Sequence, residues 1–347
     1  MDGFTWSLPG KVFLYGEYAV LTDLPCAIVS VPPRFECLPL TLSGDLSEKK
    51  GPTLESFHEL SPAGMLRRRC LEHSKIAGES SERYFWDPYQ GQGGFGGSTA
   101  EFAFALVDLV QRGWKSGLLH GTPREQALSV WALYREITRP DEGVTPSGAD
   151  LLSQWMGGIT RVRLIDGQVD LLDALSSDGL AAWRSKTRLL VFSAAHQPGR
   201  KVATHFHLSR LSSLLDSGDL KKNLAPVVSA LDRALIQGDS QGLGVGLNRF
   251  ADSLSQMGLE IRETSLDREA FSQVPGVLGV KGTGAMQADS IVIVLDRSSV
   301  AYDECLRLGA LRDLRLVLED WPQEKGFEIS SARLEPTPYP TEKRKVL

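Results

Sequence analysis

The sequence predicts an α+β protein of two domains. Three observations carry the prediction. The chain has 347 residues, and single domains usually run to about 100–200 residues. Helical stretches and strand-like runs are mixed along it, with the second half turning from strand to helices and back to strand. A cluster of glycines at 93–97 leads straight into a long apolar helical run. The expected division is 1–185 and 186–347, the second unit opening just before the β-rich run Leu189-Leu190-Val191-Phe192-Ser193.

Taken in order, residues 11–15 read as a strand broken at Gly16 and followed by a short helix or turn. Residues 27–31 read as a second strand, closed by Pro32-Pro33. Residues 41–55 carry turn signals and suggest a hairpin or loop. Within 55–79 a helix is expected, with Leu60, Met65, Leu66 and Leu71 available for one face. An aromatic and polar stretch, 80–92, precedes the glycines. Residues 100–110 are apolar nearly all round, which marks a buried helix. A helix over 124–137 follows, then a break at Gly157-Gly158 and an alternating strand over 159–165. The second half shows helices near 208–216, 220–237, 240–257 and 266–273. A strand at 290–295, a helix at 301–311 and a strand at 315–318 complete it. The Pro-rich, then basic tail from 336 to 347 reads as an exposed end.

Composition narrows the class. Hydrophobic residues make up 42% and charged residues 23%, the balance of a soluble globular protein. A net charge of −5 argues against a nucleic-acid binder, which carries a basic surface. The four cysteines, Cys26, Cys37, Cys70 and Cys305, are widely spaced with no CxxC pair, so they read as thiols in a reducing compartment. No apolar run has the ~18 residues of a membrane span, and the N-terminus lacks the pattern of a signal peptide. The expectation is a cytoplasmic monomer or homodimer.

The glycine cluster has a physical reading of its own. Gly93, Gly94, Gly96 and Gly97 let the backbone approach a ligand closely. Ser98 and Thr99 then stand on the first turn of a helix, whose free N–H groups and dipole favour an anion. The pattern is neither a Walker A loop nor a dinucleotide turn. It is a candidate phosphate site, to be weighed against a flexible linker ahead of a helix.

Three further stretches decide between these. Pro9-Gly10-Lys11-Val12-Phe13-Leu14-Tyr15-Gly16-Glu17-Tyr18-Ala19-Val20-Leu21 resembles the N-terminal PGKxxLxGEYAVL segment of the GHMP kinase family. Gly94-Phe95-Gly96-Gly97-Ser98-Thr99-Ala100 resembles its GLGSSAA loop. Pro146-Ser147-Gly148-Ala149-Asp150, followed by Gly157-Gly158, is similar to its SGxDxxxxxxGG. Lys281-Gly282-Thr283-Gly284-Ala285-Met286-Gln287-Ala288-Asp289 is similar to its KxxGAGGGD. The order matches, and the motifs span residues 9–290.

The resemblance implies a ribosomal S5-like N-terminal domain, a ferredoxin-like C-terminal domain, and an active site between them that uses ATP and Mg²⁺. It implies that Gly94, Gly96, Gly97, Ser98 and Thr99 bind the phosphates and that Ser98 also binds Mg²⁺. Asp150 would take the proton of a substrate hydroxyl, with Lys11 beside it. A second metal ligand is expected from Glu136 or, failing that, Glu142. Tyr18 and Ser147, within their motifs, are candidate substrate contacts.

The GEYAVL form points to the mevalonate-pathway branch. Gly199-Arg200-Lys201-Val202-Ala203-Thr204 and Asp289 resemble phosphomevalonate kinases, and Arg200 with Lys201 would suit a phosphorylated substrate. Pro146-Ser147-Gly148 is a form seen in mevalonate kinases. The readings are therefore a kinase for 5-phosphomevalonate, a kinase for mevalonate, or a kinase-fold binding protein with weakened catalysis. The last arises because Met286, Gln287 and Ala288 stand where the family has glycines; bulky side chains there are expected to crowd a loop facing the phosphate loop.

Overall fold

The computed structural model describes residues 4–39, 51–73, 83–141, 143–172, 175, 177–200, 204–297, 300–323 and 325–331. Lys201, Glu142 and the tail from 336 lie outside the described residues.

Two antiparallel sheets organise the chain. The first half supplies β1 (Phe4–Tyr15), β2 (Cys26–Pro39), helix α1 (Pro62–His73) and β3 (Arg83–Trp86). Helices α2 (Gly97–Gln111), α3 (Pro123–Ile137) and α4 (Ala149–Met156) follow, then β4 (Ile159–Ile165) and β5 (Gln168–Leu172). Helix α5 (Ser177–Lys186) leads to β6 (Thr187–Ser193). Next come α6 (Thr204–Asp216), α7 (Asp219–Gln237), α8 (Ser240–Gln256) and α9 (Arg262–Ser272). The chain closes with β7 (Val277–Thr283), β8 (Ser290–Asp296), α10 (Ala301–Leu311), β9 (Arg315–Leu318) and β10 (Glu328–Ser331).

The first sheet runs β10-β1-β2-β4-β5, with β3 paired to β2. The second runs β7-β8-β6-β9. β10 crosses back from the end of the described chain to pair with the very first strand, Phe4 opposite Ser331. Helices α2 and α4 lie against β1 and β2, while α8 and α9 lie against β7. Covered and flanked in this way, β1 is buried from Leu8 to Tyr15.

Local chemistry accounts for several boundaries. Thr122 and Glu125 form a reciprocal capping box at the start of α3, with Pro123 at its first position. Asp166 and Gly167 both adopt positive φ, 50° and 76°, and turn β4 into β5 as a two-residue hairpin.

Two expectations change. β2 does not stop at Pro32-Pro33 but runs on to Pro39. The register skips between Pro9↔Arg34 and Gly10↔Val31, so the two prolines, which have no N–H to give a ladder, sit in a bulge. In α1 the buried face is Ala63, Leu66 and Cys70, whereas Leu60 and Leu71 are 68% and 70% exposed. The helix begins only at Pro62, which leaves Leu60 outside it and shifts the inward face by about one residue.

Candidate active site

The site begins at β1. Lys11 is buried in mid-strand, and its backbone N–H donates to the Phe95 carbonyl oxygen at 3.1 Å. This bond fastens the strand to the glycine-rich loop. The preceding residue has to be small: a Cβ on Gly10 would stand 2.1 Å from the Tyr89 hydroxyl. Tyr89 itself stacks on Phe95 at 4.2 Å between ring centroids. Phe95, the one bulky residue of the loop, is thereby its anchor.

Gly94 and Gly96 flank that anchor with φ of 89° and 88°, a region that favours glycine. A Cβ on Gly94 would meet Asp289, and one on Gly96 would meet Gln154. The loop ends in α2, whose N-cap Gly96 offers no side-chain acceptor and whose first turn holds no acidic residue. The first intrahelical bond is Ala100 N–H to Gly96 O. The N–H groups of Gly97, Ser98 and Thr99 therefore have no helical carbonyl. Ser98 is exposed at this end. An uncapped helix start with small residues and an exposed hydroxyl fits a phosphate group and its metal ion.

Thr99 faces the other way. It is buried, with its hydroxyl donating to Gln154 Oε1 at 2.5 Å and lying 2.9 Å from the Gly96 carbonyl oxygen. As the third helical residue it has turned toward α4, so its side chain braces the loop and does not face a phosphate.

Asp150 occupies the first turn of α4, which starts after Gly148 at φ 70°. A Cβ on Gly148 would run into the Trp131 ring at 2.7 Å. Trp131 Nε1 donates to the Ser147 carbonyl oxygen at 2.8 Å, and Ser147 Oγ accepts from Ala149 N–H at 3.3 Å. The Ser147 hydroxyl thus helps shape the turn. The result is an ion pair of 2.8 Å between Lys11 Nζ and Asp150 Oδ2, with Asp150 partly exposed. Gln154, one turn later on the same helix and fully buried, completes the joint. Its Nε2 donates to Pro9 O at 3.0 Å and lies 3.2 Å from Gly96 O. Gln154 was not foreseen from sequence; its only signal is the i+4 spacing from Asp150, which puts both on one helix face.

The second sheet contributes the turn between β7 and β8. Lys281, completely buried, donates to Glu17 Oε1 at 2.7 Å and lies 3.3 Å from the Phe13 carbonyl oxygen. Gln287 Nε2 donates to the same Glu17 oxygen at 2.6 Å. Tyr18 is buried as well; its hydroxyl accepts from Met286 N–H at 2.9 Å and lies 3.4 Å from Gly284 O. The Tyr18 hydroxyl, expected at the substrate, clamps this turn in the structure.

Met286 and Gln287, expected to crowd the loop, are both buried, and the Gln287 side chain turns to Glu17. What meets the glycine-rich loop is Asp289, within contact distance of a Cβ on Gly93, Gly94 or Gly284. Burial pushes the Asp289 carboxyl above its ordinary range, and the nearby Lys11 charge opposes that rise.

Glu136 stands apart from this cluster. It pairs with Arg69 of α1, both about half exposed, so it faces α1 as a surface ion pair and not the Lys11–Asp150 centre. Among the described residues there is no group of three or more His, Cys, Asp or Glu side chains placed to hold a metal ion. Arg200 is buried and pairs with Asp267, while its Nε donates to Gln197 Oε1 at 2.7 Å. It nonetheless lines a cleft of about 430 Å³ between loop residues 90–93 and the segments holding Ala195, His196, Ala285, Ala288 and Asp289. Among the described residues no helix is long and apolar enough to cross a membrane.

No family model matches the sequence, and no curated protein matches it. Solved structures do. The mevalonate kinase of Methanococcus jannaschii superposes with a TM-score of 0.65 at 14% identity, over 91% of this chain and 98% of the other. The L. major mevalonate kinase in complex with R-mevalonate gives 0.60 at 19%, over 91% and 95%. The phosphomevalonate kinase of Streptococcus pneumoniae gives 0.60 at 13%, over 91% and 98%. The chain accordingly has the α+β fold of the GHMP small-molecule kinases, as its motifs had led one to expect.

Proposed function

We propose that the protein is an ATP-dependent small-molecule kinase that phosphorylates 5-phosphomevalonate to 5-diphosphomevalonate. The observation that carries this reading is the Lys11–Asp150 ion pair at 2.8 Å, joined through Gln154 to the uncapped start of α2. Three separate motifs meet there. Phosphoryl transfer asks a protein mainly for positioning and charge stabilisation, and these residues offer both.

Bound ATP would supply the phosphoryl group. The N–H groups of Gly97, Ser98 and Thr99 would receive phosphate oxygens, and the exposed Ser98 hydroxyl would hold Mg²⁺. Asp150 accepts the proton of the substrate hydroxyl at its carboxylate. Lys11 pairs with that carboxylate and offsets negative charge arriving beside it. Gln154 orients the loop by binding the backbone on both sides of it. The substrate would occupy the cleft below the loop, where Arg200 and His196 stand on one wall and Asp289 on another.

Mevalonate is the second reading. It is favoured by the Pro146-Ser147-Gly148 form and by Asp267, which takes up part of the Arg200 charge.

The test is ADP release from Mg·ATP with mevalonate, 5-phosphomevalonate, galactose and homoserine as acceptors. Turnover with 5-phosphomevalonate is expected, and Asp150→Asn should lower kcat by about two to four powers of ten without unfolding the chain. No turnover with any acceptor by folded protein would refute the kinase reading. An unchanged kcat in Asp150→Asn would remove Asp150 from the reaction.

A further inference from the structure

The wall of the cleft that carries Arg200 is a cluster built from four elements. Arg200 ends a short turn after β6. Its guanidinium is 95% buried and pairs with Asp267 of α9, which is completely buried. Arg312, just past the end of α10, pairs with the other oxygen of the same carboxylate. Gln197 ties the two arginines together. Its Oε1 accepts from Arg200 Nε at 2.7 Å, and its Nε2 lies 2.9 Å from the Arg312 carbonyl oxygen and 2.7 Å from that of Asp313. Thr264 adds a longer contact, Arg200 Nη1 to its Oγ1 at 3.4 Å, and hands its own proton to the Gln287 carbonyl oxygen at 2.7 Å.

The charge count of this cluster matters. A buried Arg–Asp pair alone would be neutral, and Arg200 would then serve only as packing. Here one carboxylate is shared by two guanidinium groups, so the cluster keeps one positive charge. Of the two arginines, Arg200 is the one that lines the cleft. His196, also on that wall, turns its Nε2 toward Asp313 at 3.2 Å. Asp289 also lines the cleft, a group that suits a hydroxyl and repels an anion. The cleft thus carries an anion-holding group at Arg200 and a hydroxyl-accepting one at Asp289, with Ala195, Ala285 and Ala288 also in its lining.

We infer that Arg200, Asp267 and Arg312 form an anion subsite that holds the oxyanion end, phosphate or carboxylate, of a small acidic ligand in this cleft. Arg200 touches the ligand. Arg312 is a positioning residue, whose charge offsets Asp267 and leaves Arg200 its field. Gln197 fixes the spacing of the two. The inference rests on the reading of this cleft as the acceptor site, although anion binding can be measured without any turnover.

Inorganic phosphate is the probe, titrated calorimetrically into the full chain with a non-hydrolysable ATP analogue present to keep phosphate off the start of α2. Arg312→Gln converts the cluster to a neutral pair, and phosphate should bind roughly tenfold more weakly. Affinity for the ATP analogue should stay within about twofold, as expected for a site outside its contacts. Arg312→Lys restores the charge and should recover most of the phosphate affinity, which a role in packing alone would not produce. Acetate then separates the two oxyanions: competition with phosphate assigns the subsite to carboxylates, and its failure to compete assigns it to phosphate esters.

Wild-type protein that binds no phosphate at millimolar concentration, or an Arg312→Gln chain that binds it as tightly as wild type, would overturn the subsite. If the Gln variant does not fold, the Lys variant decides: tight binding supports the subsite and lost binding overturns it. Arg312-dependent phosphate binding without turnover of any acceptor would leave the subsite standing and sink the kinase reading. Turnover with phosphate binding indifferent to Arg312 would do the reverse.

Discussion

Removing the Glu17 carboxylate should destabilise the protein strongly. Glu17 Oε1 receives both Lys281 Nζ, at 2.7 Å, and Gln287 Nε2, at 2.6 Å. The Lys281 side chain has no exposed surface, and burial already lowers its pKa against the pull of Glu17. In Glu17→Ala the ammonium is left with the Phe13 carbonyl oxygen at 3.3 Å and the Phe250 ring at 5.8 Å. Breaking a buried pair in this way costs about 3–5 kcal/mol. That is roughly two to four powers of ten in the folded-to-unfolded ratio. Lys281→Met alone should cost a similar amount, because the buried Glu17 carboxyl then loses its cationic partner. The double variant Glu17→Ala/Lys281→Met removes both charges, so its loss should fall short of the sum of the singles by more than about 1 kcal/mol. Urea denaturation followed by tryptophan fluorescence reads all of these. Single variants that each lose less than about 1 kcal/mol, or an additive double variant, would refute the argument that the pair is a coupled buried charge.

Two further outcomes follow from single side chains. Burial, and then the Asp87 charge, pushes the Glu101 carboxyl from 4.5 up to about 7. Between those values the folded chain keeps a proton that the unfolded chain has released, so stability falls as pH rises through the window. Glu101→Gln should therefore raise the melting temperature at about pH 8 and leave it unchanged near pH 4; equal shifts at both would show that shape and not charge is responsible. Gln154→Ala removes the partner of the Pro9 carbonyl oxygen and the Thr99–Gln154 bond, and should cost about 1–3 kcal/mol. Nucleotide affinity, read by calorimetry, should fall as well, and an unchanged affinity would detach the loop geometry from Gln154.

The parts of the site that sequence made legible are those in which a residue's job is set by its own backbone or its immediate neighbours. Gly94 and Gly96 could be read because positive φ favours glycine. Lys11 and Asp150 could be read because each lies in a short motif, although nothing in either motif alone states that they meet. What escaped depends on helix phase and on distant partners. The Thr99 hydroxyl was one such case: α2 starts at Gly97 and turns the third side chain inward to Gln154, which leaves only its N–H at the helix start. Glu136 looked free until α1 placed Arg69 beside it. Arg200 was legible as a basic residue; its sharing of Asp267 with Arg312, 45 residues further on from that carboxylate, was not. The same holds for the fold. The alternating strand over 159–165 was found from its pattern, whereas β10, which closes the first sheet from the far end of the chain, has too little local pattern to be read.

The turn at 284–289 shows why a degraded motif need not mean a degraded structure. Glycines in such a turn satisfy a demand for positive φ, and this chain meets the demand with Met286 at 52° and Gln287 at 59°. Each such residue costs on the order of 1–3 kcal/mol, and persists only where its surroundings over-determine it. Here they do. The Tyr18 hydroxyl holds Met286 N–H, Glu17 holds the Gln287 side chain, and Thr264 holds the Gln287 carbonyl oxygen. Burial of the Met286 side chain adds a further contribution. Glycine would reach this shape by freedom alone; this chain reaches it by anchoring, and two of the anchors, Glu17 and Tyr18, come from the GEY segment. Two of the three replacements are thus one arrangement: Met286 and Gln287, which stand in place of glycine, are the residues that bind Tyr18 and Glu17. The consequence is a stiffer turn, with Asp289 held against Gly93 and Gly94 before any ligand arrives.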